Sequence, residues 1–266
     1  KFAKNRAYIG DEMGLGKTIT AIATIHYNRT HSDKPYKVLV VAPASLLLNW
    51  KRELAKWLPN LKTNALTSGK QKIDVNADVN IVSYGLLNKV VEQMKNENIT
   101  FTQLIVDEAH YVKNKKAQRT KYVKFIAEKA PHLLFLSGTP ITKKPIDLFA
   151  QLEIIGVAGD RTKPFGDYYY FAVRYCGGQQ GRFGFEANGA TNINELNQKL
   201  RSTIYLRRDK EQVLQELPDK QRQYIYIEIP DETKKELKEI ELELMKGNLN
   251  PLAYVNKVFY TVGKGK

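Results

Sequence analysis

The chain has 266 residues, is 42% hydrophobic and carries a formal net charge of +14, so it is long enough for a full buried core and basic enough to favour a polyanionic partner, nucleic acid or an acidic membrane surface. Its single cysteine, Cys176, excludes an intrachain disulfide and suits a reducing, intracellular compartment, and the four histidines (His26, His31, His110, His132) show no metal-ligand spacing with it. The longest apolar run, "VLVVAPASLLL" at 38–48, is too short to span a bilayer and contains Pro43 and Ser45; no signal peptide is visible, and a first residue of Lys1 leads one to expect a fragment.

Short apolar runs alternate with helical stretches over the first 155 residues. "RAYIG" (6–10) reads as a strand entering a glycine-rich loop, and "KTITAIATIHYN" (17–28) as the helix leaving it. "KVLVVAP" (37–43) is a buried strand before the helical "SLLLNWKRELAKWL" (45–58), and "NIVSYG" (80–85) is another strand. "TQLIVDEAH" (102–110) is a strand running into paired acids, "HLLFLSGTP" (132–140) a strand ending in a turn, and "KPIDLFAQLEII" (144–155) a helix. Continuous β-rich runs separated by helices argue for an α/β fold with a mainly parallel sheet covered on both faces.

From 156 to 189 aromatics, glycines and polar residues mix without clear period, which reads as an irregular excursion from the sheet. Helical pattern returns in "NINELNQKLRSTIYL" (192–206) and "RRDKEQVLQEL" (207–217), and Pro218 stops it. "RQYIYIEIP" (222–230) alternates strictly and predicts a strand, an additional one for the main sheet. Asp231 is expected to cap a helix with Leu237, Ile240 and Leu244 on one face.

Three stretches carry chemistry. In "YIGDEMGLGKTITAIA" (8–23) the loop between strand and helix aims backbone N–H groups at one spot, where the helix N-terminus adds partial positive charge. Gly14 and Gly16, with Leu15 between them, give the clearance a polyphosphate needs; Lys17 reaches the β- and γ-phosphates, and the Thr18 hydroxyl is offered to Mg²⁺. The general phosphate-loop pattern has glycine where this chain has Asp11. In "LIVDEAH" Asp107 and Glu108 end a buried strand, the edge at which ligands sit in parallel sheets. Asp107 suits the metal and Glu108 the attacking water, the division of labour that Mg²⁺-nucleotide hydrolysis requires. In "FLSGTPI" Ser137 and Thr139 flank a glycine at another strand end, where their hydroxyls are placed to link the acids to whatever moves on hydrolysis.

With these motifs in this order the chain resembles the Swi/Snf family of ATP-dependent DNA translocases, within helicase superfamily two. "DEMGLGKT" looks like that family's first motif, which itself carries the aspartate at position 11. "VLVVAPASLLLNWKREL", "IVSYGLL", "LIVDEAHYVKN" and "LFLSGTPITKKPIDLFAQLEII" resemble the motifs that follow, and "LRSTIYLRRDKEQVLQELPDKQR" resembles the arginine-pair segment of its helical protrusion. A finer similarity, over 182–223, is to the annealing-helicase, fork-remodelling branch.

The resemblance implies a RecA-like ATP-binding first lobe at 1–158, a helical protrusion at 159–222, and a return strand and helices at 223–266 leading to a second RecA-like lobe that holds the arginine finger. It implies ATP and Mg²⁺ as cofactors, no membrane, and double-stranded DNA gripped by its phosphates at Pro43, Ala44, Ser45, Ser83 and Tyr84 with little sequence preference. Lys113 is the first of a cationic cluster, with Lys115, Lys116 and Arg119, that adds to Lys51 and Arg52 as a positive track. Arg207 and Arg208 either join these cations or instead brace the protrusion against the lobe. Compartments consistent with this are cytoplasm, nucleoid or nucleus, in a cellular or phage-encoded protein. The alternatives are a strand-separating DNA or RNA helicase and a nucleotide-binding scaffold without turnover.

Overall fold

The computed structural model describes residues 5–139, 144–181, 184–213 and 230–264. In chain order the elements are β1 (Arg6–Ile9), α1 (Lys17–Thr30), β2 (Val38–Ala42), α2 (Leu47–Trp57), β3 (Thr63–Leu66), β4 (Val79–Ser83), α3 (Leu87–Asn96), β5 (Gln103–Asp107), α4 (Gln118–Lys129), β6 (His132–Leu136) and α5 (Phe149–Ile155). There follow α6 (Tyr168–Cys176), β7 (Gln179–Gly181), β8 (Gly184–Glu186), α7 (Ile193–Thr203), β9 (Tyr205–Leu206), α8 (Lys210–Val213), α9 (Asp231–Met245) and α10 (Pro251–Lys264).

Among the described residues seven strands form one parallel sheet in the order β3-β4-β2-β5-β6-β1-β9. Strand period two divides the apolar side chains between its faces. Leu39, Val41, Leu104, Val106, Phe135 and Tyr8 pack on one side with α3, α4 and α5. Val38, Val40, Ile81, Ile105, Leu134 and Leu136 pack on the other with Ile22 and Ile25 of α1 and Trp50 and Leu54 of α2. The half-buried guanidinium of Arg6 donates to the carbonyls of Ala127 and Ala130 at 2.8 and 3.2 Å and of Ile154 at 3.1 Å, so one fork satisfies the open ends of α4 and α5.

The five strands read from the sequence are β1, β2, β4, β5 and β6. Two sheet strands differ from expectation. Thr63–Leu66 has no apolar run of its own and is a short edge strand. Tyr205–Leu206, read as the end of a helix, leaves that helix at Thr203 and pairs in parallel with Tyr8 and Ile9. The stretch taken as irregular contains α6, because the Asp167 carboxylate accepts the Tyr170 N–H at 2.8 Å and Phe171, Ala172, Tyr175 and Cys176 recur on one buried face. The alternating stretch at 222–229 and Pro218 lie outside the described residues.

The chain divides into two compact units, residues 1–215 and 216–266. In the second, α9 and α10 pack on each other, with Lys257 paired to Glu243 at 2.7 Å. Ile240 is buried with Leu237 and Leu244 half-buried beside it, the face expected, while the residue preceding the helix is Pro230 and Asp231 is its first member rather than its cap.

Candidate functional site

The sheet order makes β5, β6 and β1 neighbours, so the loops that follow them meet at one edge. These are the loops that carry the paired acids, the serine–glycine–threonine turn and the phosphate loop. Gly14 and Gly16 have φ of 87° and 76°, a left-handed backbone that side-chain-bearing residues rarely adopt, and open space surrounds Gly16 where a Cβ would stand. Gly16 immediately precedes α1, whose first residue is Lys17. The Lys17 ammonium donates to the carbonyls of Asp11 at 2.8 Å and Glu12 at 3.1 Å. A Cβ on Gly138 would lie 3.5 Å from that ammonium and 3.6 Å from the Asp11 carbonyl, so the turn after β6 abuts the phosphate loop.

Asp107 is 6% exposed. One carboxylate oxygen accepts the Trp50 indole N–H at 2.8 Å and the other accepts the Glu108 N–H at 3.0 Å. Burial raises the Asp107 carboxyl above its ordinary range, against the Trp50 hydrogen bond and the positive charge of Lys17. A buried carboxylate short of positive charge beside a lysine and a glycine loop is the donor set expected for a divalent cation that shares its coordination with phosphate oxygens. No group of three or more His, Cys, Asp or Glu residues able to hold a metal by itself occurs among the described residues.

Glu108 adopts φ 51°, a left-handed conformation uncommon for a non-glycine residue, and turns the chain sharply at the strand end. Its carboxylate lies 3.1 Å from His110 Nδ1 and 3.5 Å from the Ser137 hydroxyl, and His110 Nδ1 is 3.2 Å from that same hydroxyl. The Ser137 oxygen also accepts the Thr139 N–H at 3.2 Å. Ser137 is fully buried and Thr139 exposed, so one buried hydroxyl joins the acid cluster to a surface turn. Thr18 sits half-buried in the first turn of α1.

The residues read as DNA contacts divide. Pro43 is half-buried and Ala44 and Ser45 are exposed, in a turn between β2 and α2. Ser83 is half-buried at the end of β4, beside them in the sheet. The Tyr84 ring is 9% exposed, stacks on Tyr111 at 5.1 Å, and its hydroxyl donates to the Asp107 carbonyl at 2.6 Å. Any contact it makes with a ligand at this edge is left to its backbone. Lys113 is paired with Asp147 at 3.3 Å and Lys115 with Glu153 at 3.0 Å, whereas Lys116 and Arg119 are exposed, the latter 5.6 Å from the Tyr111 ring.

Sequence reading missed Trp50 and His110 as members of the site. His110 had a signal, since it lies two residues after Glu108; Trp50 had none, being 57 residues from Asp107. Arg208 bonds the buried Asp11 while its own side chain stays exposed, so the guanidinium spans from the loop to solvent.

Residues 4–257 match the family described as the SNF2-related domain. Among curated proteins the chain is 35% identical over 250 residues to the SWI/SNF-related matrix-associated actin-dependent regulator of chromatin subfamily A-like protein 1 of Xenopus tropicalis, covering 92% of this chain and 25% of that protein. It is 36% identical over 244 residues to the DNA annealing helicase and endonuclease ZRANB3 of Homo sapiens, covering 87% and 22%. The chain thus spans about a quarter of the length of these relatives. Among solved structures, the Sulfolobus solfataricus SWI2/SNF2 ATPase core in complex with dsDNA superposes with a TM-score of 0.61 at 24% identity, over 97% of this chain and 52% of that one. That likeness is one of fold, a RecA-like sheet flanked by helices.

Proposed function

This chain belongs to the SNF2-related family, and from that premise we propose that it is the first motor lobe of an ATP hydrolase that moves along double-stranded DNA. The carrying observation is the convergence at one sheet edge of the Lys17 loop, the Asp107–Glu108 strand end and the Ser137 turn. The domain layout proposed with it is a RecA-like lobe at 1–158, a helical protrusion at 159–222 and a passage to a second lobe at 223–266.

The chemistry follows from the side chains. Backbone N–H groups of the loop through Gly14, Leu15 and Gly16, and the ammonium of Lys17, neutralise the triphosphate. Thr18 and Asp107 would hold Mg²⁺, which when bound would supply charge neutralisation at the transferring phosphoryl group. Glu108 orients the attacking water and takes its proton. Ser137, tied to Glu108 directly and through His110, and Thr139, whose N–H bonds Ser137, carry the state of the acid cluster to the exposed turn. DNA phosphates are gripped at Pro43, Ala44, Ser45 and the Ser83–Tyr84 backbone, without reading bases. A +14 chain and relatives named for DNA annealing and chromatin regulation support this partner, and a buried lone Cys176 supports a reducing intracellular compartment. No helix among the described residues is long and apolar enough to cross a membrane.

The test uses the full-length protein. ATP hydrolysis stimulated by duplex DNA, with displacement of a triplex-forming strand and no unwinding of the duplex, is the expected result. Unwinding would point to a strand-separating helicase, and ATP binding without turnover to a scaffold. A separate second lobe supplying the arginine finger makes this chain alone a slow ATPase, by about 10³–10⁵ relative to the whole motor.

A further inference from the structure

The backbone hydrogen bonds of the phosphate loop do not stop at β1. Tyr8 N–H donates to the Ile204 carbonyl at 2.9 Å, Gly10 N–H to Leu206 at 2.7 Å, and Glu12 N–H to Arg208 at 3.2 Å. This ladder runs past the end of the strand into the loop itself. Side chains reinforce it. Asp11 has no exposed surface, and its carboxylate accepts the Arg208 backbone N–H at 2.8 Å, the Arg208 Nε at 3.0 Å and the Arg208 Nη2. The Glu12 carboxylate accepts the Lys210 N–H at 2.8 Å. Gly10 is required by the same contact, since a Cβ there would stand 2.0 Å from the Tyr205 hydroxyl oxygen.

Two consequences reach the nucleotide. The carbonyls that receive the Lys17 ammonium belong to Asp11 and Glu12, the residues pinned from the other side. In addition the Lys210 side chain lies over the loop, its ammonium 3.9 Å from where a Cβ on Gly14 would be. We propose that the segment 205–210 is a latch on the phosphate loop: Arg208 is a positioning residue that sets the loop and Lys17 through Asp11, and Lys210 is a second phosphate-binding cation. This rests on the nucleotide reading of the site. A buried carboxylate that three donors hold needs both charge and fork geometry from its partner, so lysine is a poor substitute for Arg208. Lys210 acts as a point charge, which arginine replaces.

The experiment measures Mg-ATP and ADP affinity by a fluorescent-nucleotide titration on full-length protein, with KM and kcat for ATP and a thermal midpoint for every variant. Lys210→Ala is expected to weaken ATP about tenfold, the loss of one charged contact, and ADP less. Its thermal midpoint stays at the wild-type value because the side chain is exposed. Lys210→Arg restores affinity. Arg208→Lys is expected to raise KM for ATP about tenfold or more with a smaller change in kcat. Lys17→Ala is the control. If Lys17→Ala loses nucleotide while Lys210→Ala and Arg208→Lys bind as wild type, the latch is wrong and the nucleotide site stands. If wild-type protein has no ATP affinity, or Lys17→Ala leaves it unchanged, the nucleotide reading falls and takes the latch with it.

Discussion

Trp50 and Asp107 are joined by a 2.8 Å hydrogen bond from indole N–H to carboxylate, made where both side chains are closed to solvent. Burial raises the carboxyl and the indole opposes it. Trp50→Phe removes the donor, so the titration of Asp107 moves further up. The proposed reaction needs the ionised form, and the acid limb of the ATPase pH profile should therefore shift to higher pH, with the plateau above it much less affected. A pH–rate series on wild type and variant checks this; superimposable acid limbs would detach Trp50 from the chemistry. Stability has a matching sign. An acid whose folded value is raised favours the fold below the ordinary carboxylate range and loses that contribution as pH rises through the folded value. The deficit in thermal midpoint of Trp50→Phe should then be larger at neutral pH than in acid.

Lys17 and Glu108 sit on opposite sides of the reaction as proposed, and their variants should fail differently. Lys17→Ala is expected to lose productive ATP binding. Glu108→Gln keeps the size of the side chain and its contact with His110 while removing the base, so binding should persist and turnover fall by about 10²–10⁴. Nucleotide titration beside phosphate release separates the two. A Glu108→Gln protein hydrolysing at the wild-type rate would remove that residue as the base.

Ser137 is buried, and its hydroxyl touches His110, Glu108 and the Thr139 N–H together. Ser137→Ala deletes the junction but neither the base nor the phosphate loop. ATPase in the absence of DNA should stay within a few-fold of wild type, while stimulation by duplex and triplex displacement fall well below it. Equal losses in all three assays would make Ser137 part of the hydrolytic machinery rather than a link from it.

What was legible beforehand was whatever is local in the chain. Runs such as Val38–Ala42 and Gln103–Asp107 announce buried parallel strands because both faces are covered, and a glycine loop between strand and helix announces an anion site. The hidden parts are contacts between distant segments. Tyr205–Leu206 is two residues long and follows a helix, so no period could reveal it, yet it extends the sheet beside the phosphate loop. Asp11 announced its family but not its partner, which lies 197 residues on. The motif that names Tyr84 as a phosphate contact says nothing of its ring, which a buried carbonyl and a stacking partner hold inward.

Cations near the acid cluster should contribute unequally to DNA binding, because the structure neutralises some of them. Lys115 shares Glu153 with Lys124, both at 3.0 Å, and the Glu153 carboxyl, though raised by burial, is held below its ordinary range by those two lysines. Lys113 has Asp147. Lys116 is exposed two residues before α4. A phosphate contact releases counterions, so each one lost reduces the slope of log affinity against log salt by about 1. Lys116→Ala should flatten that slope by about this much, uniformly across duplex sequences, and Lys115→Ala should change it less, since removing Lys115 also unmasks part of Glu153. Fluorescence anisotropy with duplexes of unrelated sequence over a salt series measures both. An unchanged slope for Lys116→Ala would place the DNA path away from α4, and a loss confined to one duplex sequence would contradict a grip on phosphates.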